Sequence, residues 1–171
     1  MELAWIQSIL VRDLEAIKRE LAAYPDEATV WITPPGVANS AGTLSLHLAG
    51  NIQHFIGAVL GKSGYRRDRD REFAVRGVPR AEIQAELDLA IAVIRRTLAP
   101  GAPVDLDADY PERVGGKFMV NTGEWLLHLI SHLAFHLGQL GYLRRIVTGQ
   151  SSSAGAMSIA DLTTARRVEP V

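Results

Sequence analysis

The stretch Trp125 to Arg145, WLLHLISHLAFHLGQLGYLRR, holds three of the five histidines, at 128, 132 and 136. Each lies four residues from the next. On an α-helix that step turns about 400° and rises about 6 Å, so neighbouring members share a face. Leu, Ile, Ala and Phe fill the positions between them. The stretch therefore reads as an apolar helix carrying a column of imidazoles. The other two, His47 and His54, stand about two turns apart in a second apolar stretch, so they also share a face. Imidazoles meeting from two core helices point to a metal site.

The rest of the chain builds the frame for those two helices. Leu3, Ile6, Leu10, Leu14, Ile17 and Leu21 recur at steps of three and four and predict helix 1 over 2–23. A connection rich in proline and glycine follows, and Trp31 within it is expected to pack on the bundle. Helix 2 is predicted over about 43–61, capped by Thr43. Residues 65–76, YRRDRDREFAVR, nearly cancel in charge and read as a solvated ion-pair loop. Helix 3 is predicted over about 79–98, with Pro79 in its first turn. Asp105, Asp107 and Asp109 alternate like the start of a calcium loop. Tyr110 stands where such a loop needs glycine and Gly116 where it needs glutamate, which rejects an EF-hand. Asn121 and Glu124 open helix 4, which runs to about Thr148. Four amphipathic helices without alternating strand patterns give an all-α four-helix bundle. Residues 1–148 form that domain, and 149–171 read as a partly ordered tail that can also dock on the bundle or a second subunit.

Bulk composition narrows the partners. Formal net charge is −1, giving no electrostatic reason to expect nucleic acid or an anionic membrane. No uncharged apolar run reaches about 18 residues, and the first residues lack a signal-peptide pattern. The absence of cysteine removes thiolate ligands and nucleophiles and fits a cytoplasmic protein.

Five imidazoles buried on two helices need partners. His128 and His136 are about 12 Å apart along the axis, and His47 and His54 about 10 Å, so neither pair shares an ion. Spacing thus offers one histidine from helix 2 and either 128/132 or 132/136 from helix 4. His132 belongs to both pairs. No ExxH, CxxCH, phosphate-loop or GxSxG pattern competes. Ser131 adjoins His132 but points about 100° away, against a serine–histidine dyad.

HLAGNIQHF on helix 2 and HLISHLAFHLGQL on helix 4 resemble the DinB/YfiT-like superfamily of bacterial metal-binding four-helix bundles. YRRDRDREF resembles one mostly uncharacterised branch. The resemblance spans roughly residues 1–148. It implies an up-down-down-up bundle, frequent dimers, and a divalent metal held by one histidine of helix 2 and two residues of the last helix. On this chain those are His47, His132 and His136. Characterised relatives include thiol-dependent isomerases and transferases. Three imidazoles and an open position suit Zn²⁺, Ni²⁺ or Fe²⁺. Asn51 and Gln139 lie one turn after His47 and His136 and are candidates to orient ligands or substrate. His54 and His128 are candidates for a place behind the metal ligands, for a general base, or for plain packing. The expected function is a metal-dependent hydrolase or thiol transferase acting on a small molecule; the alternative is a non-catalytic metal-binding or stress-response protein.

Overall fold

The computed structural model describes residues 2–168. The predicted tail ends at Val171, and 169–171, like Met1, lie outside the described residues. The elements are α1 (Leu3–Ala22), α2 (Ala41–Ile52), α3 (Arg69–Ala74), α4 (Arg80–Thr97) and α5 (Thr122–Thr148). Among the described residues there are no β-strands, only two isolated bridges. No helix there is long and apolar enough to cross a membrane.

Side-chain pairs set the helix directions. Leu3 lies near Gly123 and Leu127 at the start of α5, while Glu20 meets Arg144 near its end, so α1 and α5 are parallel. Gln7 reaches the carbonyl of Leu98 and Lys18 reaches Asp88, so α1 and α4 are antiparallel. Gln53 bonds Glu86, and Thr97 lies against Gly61, so the helix-2 segment and α4 are parallel. His47 faces His132 and Phe55 faces Trp125, so the same segment and α5 are antiparallel. The four long elements therefore run up-down-down-up. The predicted stripes form the core: Ile6, Leu10, Leu14, Ile17 and Leu21 of α1 and Ile83, Leu87, Ala90, Ile91 and Ile94 of α4 are buried.

Helix 2 is largely buried, as its apolar breadth predicts, and departs from the sequence expectation in two ways, at its start and beyond Ile52. It starts at Ala41, because Ser40 rather than Thr43 is the cap; the Ser40 hydroxyl accepts from the Thr43 amide at 3.1 Å. All of α2 is buried, which its near-continuous apolar sequence permits. Beyond Ile52 the chain widens into a π-helical segment, Gln53–Leu60. The Tyr110 hydroxyl donates to the Phe55 carbonyl at 2.6 Å, tying the connection before α5 to this wider turn. Pro79 is likewise the cap of α4, one residue before its first turn.

Trp31 packs against the core, as expected, in a 3₁₀ turn. It covers Gly42: a β-carbon there would come within 2.8 Å of the indole ring. Gly42→Ala should therefore destabilise the fold. Overpacking costs about 1–3 kcal/mol, against a helix-propensity gain of at most about 1 kcal/mol. Urea unfolding should show a lowered midpoint, and a raised one would mean that Trp31 moves aside freely.

The tail turns back on α1. Arg19 donates to the carbonyls of Ala154 (2.8 Å) and Gly155 (2.9 Å), and Thr163 reaches the Ala4 carbonyl at 3.2 Å. Its anchor is Arg144, fully buried on α5, which donates to Glu20 and to the Ser152 carbonyl.

Candidate metal centre

The up-down-down-up register brings His47 of α2 level with His132 and His136 of α5. One nitrogen from each of the three lies within 4.8 Å of the others. His47 is buried and the two α5 histidines are half-buried. The ring centroids are 5.2 Å apart for His47 and His132, 5.5 Å for His47 and His136, and 4.6 Å for His132 and His136. Each pair stands nearly perpendicular, so edges rather than faces converge.

The spacing of nitrogens fits an ion. His47 Nε2 and His132 Nε2 are 3.3 Å apart. Two nitrogens each about 2.0–2.1 Å from a tetrahedral ion stand about 3.3–3.4 Å apart. The far sides of two rings are engaged as well. The His136 Nδ1–H donates to Gln139 Oε1 at 2.7 Å, leaving Nε2 as the free acceptor. His47 Nδ1 lies 3.1 Å from Glu72 Oε2. The three imidazoles could therefore hold one divalent ion.

Burial and the neighbouring imidazoles keep the two α5 donors unprotonated. Burial, with the neighbouring His136, His47 and His128, pushes His132 down to about 4. His136 is also lowered, by burial first; the Gln139 bond opposes the shift and His47 adds to it. Both rings are therefore neutral near pH 7, the state a metal needs.

Glu72 and Arg67 were not anticipated, because residues 65–76 read as a solvated loop. In the structure Asp68 caps the short helix α3, accepting from the Arg71 amide at 2.9 Å, and Glu72 is buried within it. Arg67 grips the carboxylate with both Nε and Nη2, each at 2.8 Å. Burial alone would raise the Glu72 carboxyl, but the bonds from Arg67 and His47 outweigh it and hold it below its ordinary value. An aspartate followed by an acidic turn is the helix-start signal that local reading could have used.

The remaining candidates separate. Gln139 touches His136 as the one-turn spacing suggested. Asn51 is buried and its Oδ1 has no hydrogen-bond partner among the described residues. His128 stands exposed, stacked on Trp125 at 4.8 Å with the rings 9° from parallel. His54 bonds Glu112 at 3.2 Å and takes no part in the cluster. Ser131 donates to the Leu127 carbonyl at 3.1 Å, which turns it away from His132.

No curated protein and no solved structure matches the chain. The family model described as the DinB superfamily matches residues 9–140, more than half of the chain and all three clustered histidines. With the helical bundle and the histidine cluster in hand, that match places the chain in the DinB superfamily.

Proposed function

We propose that this chain holds one divalent metal ion through His47, His132 and His136 and uses it in small-molecule chemistry. The observation that carries the reading is the convergence of three imidazole nitrogens within 4.8 Å, with the far nitrogen of His136 engaged by Gln139 and that of His47 facing Glu72. Three borderline nitrogen donors and no cysteine suit Zn²⁺, Ni²⁺ or Fe²⁺. A bound ion supplies Lewis acidity that lowers the pKa of a coordinated water or thiol toward neutrality. The protein side chains bind and orient. Gln139 fixes the His136 ring, and the Glu72–Arg67 pair backs His47. The favoured activity is hydrolysis or transfer of a low-molecular-weight thiol to a small electrophile.

The test is elemental analysis of untagged protein purified without added metal, followed by chelation, readdition and an assay for thiol conjugation and hydrolysis. About one equivalent of a transition metal is expected. An ion that binds only the folded state stabilises it by about 2.7 kcal/mol at a hundredfold excess over Kd. Chelation should therefore lower the melting temperature, and readdition should restore it. No metal and no change in melting would overturn the reading. Tight binding without turnover on thiol or ester substrates would leave a non-catalytic metal-binding protein.

A further inference from the structure

Gly50 lies three residues after His47 on the same buried helix. A β-carbon at position 50 would stand 2.1 Å from Glu72 Oε1 and 2.8 Å from its carboxyl carbon. No side chain larger than hydrogen leaves room for that carboxylate. Glycine inside a helix ordinarily costs about 1 kcal/mol relative to alanine, so the notch has a local cost that the carboxylate's position can account for. The Glu72 side chain is pinned from its other side by the two-pronged Arg67 contact, and Arg67 in turn lies over the Phe55 ring at 5.8 Å.

We infer that Glu72, seated in the Gly50 notch and pinned by Arg67, is a positioning residue that holds His47 as its Nδ1–H tautomer with Nε2 directed at His132 and His136. An ionised carboxylate at 3.1 Å from Nδ1 can only accept, so the proton sits on Nδ1. Arg67 Nη2, also 3.1 Å from Nδ1, carries two N–H groups: one is directed at Glu72 Oε2 at 2.8 Å, and turning the other onto Nδ1 would require an unprotonated Nδ1 whose lone pair faces that of the carboxylate at 3.1 Å. The imidazole and guanidinium N–H groups thus converge on one carboxylate oxygen. A carboxylate behind a ligating imidazole fixes the ring's tautomer and orientation and raises its basicity. The role presupposes the metal reading above, but the tautomer can be measured without metal.

The experiment is long-range ¹H–¹⁵N correlation spectroscopy of the imidazoles in chelator-treated protein, paired with titration by Zn²⁺ alone. Wild type should show His47 protonated at Nδ1. Glu72→Ala should move the proton toward Nε2 and weaken Zn²⁺ binding about 10- to 100-fold. Glu72→Gln, which keeps an acceptor oxygen, should recover most of both. Gly50→Ala, which leaves Glu72 present but displaces it, should resemble Glu72→Ala. If Gly50→Ala does not fold, the alanine and glutamine variants at 72 decide alone. An unchanged His47 tautomer in folded Glu72→Ala would overturn the inference. A wild type that takes no Zn²⁺ yet loses the Nδ1–H form in Glu72→Ala would defeat the metal reading and support the positioning role.

Discussion

His132→Ala should remove metal binding from an otherwise folded protein. His132 faces both of the other rings, with its Nε2 3.3 Å from that of His47 and its centroid 4.6 Å from that of His136. Deleting one of three ligands leaves two, and the loss should exceed the roughly 10- to 100-fold penalty of losing a partner behind a ligand. His47→Ala and His136→Ala should behave alike. His128→Ala should keep the metal, because that ring is exposed and stacks on Trp125. His54→Ala should keep it too, since His54 pairs with Glu112. Metal content of the five purified variants, each first shown helical by circular dichroism, decides the matter. If His128→Ala loses the ion while His136→Ala keeps it, the site lies one turn nearer the start of α5. If none changes the content, the column is packing and the metal reading falls.

The second large effect concerns stability and lies at the other end of α5. Arg144 is completely buried, Glu20 is 2% exposed, and their Nε to Oε2 distance is 2.5 Å. Arg144 also donates to the carbonyls of Gln150 and Ser152, which carry the chain into the tail. Removing either partner of a buried ion pair strands a charge in the core and costs about 3–5 kcal/mol. Arg144→Ala and Glu20→Ala should each fall in that range by urea unfolding. The double variant should cost much less than their sum, because neither charge is left alone. A cost below about 1 kcal/mol for either single change would contradict the burial that this argument rests on. Arg144→Ala should in addition expose the segment after Thr148 to limited proteolysis, since the carbonyls of Gln150 and Ser152 lose their donor.

These two sites differ in how much of them a reader of the chain can see. The imidazole column is legible because periodicity belongs to one helix: a four-residue step keeps His132 and His136 on a face wherever the helix packs. The core stripes of α1 and α4 are legible for the same reason, and so is the bundle they imply. Resemblance added His47, His132 and His136 as a set. Spacing alone left 128/132 and 132/136 equal, because choosing between them requires the axial register of α2 against α5, which is a property of two helices.

Arg144 and Glu72 were invisible for a related reason. Both are charged, and a charged residue is solvated unless a distant segment brings it a partner. Glu20 lies far from Arg144 in the chain, and the notch that admits Glu72 is on a different helix. The wider turn at Gln53–Leu60 escaped as well, since its apolar sequence satisfies an ordinary helix equally well. Local pattern thus determined which faces are apolar and which helices carry imidazoles. Tertiary packing alone decided the register that gathers three of them, and the buried carboxylate behind one, because burial of a charge depends on contacts that no local window contains.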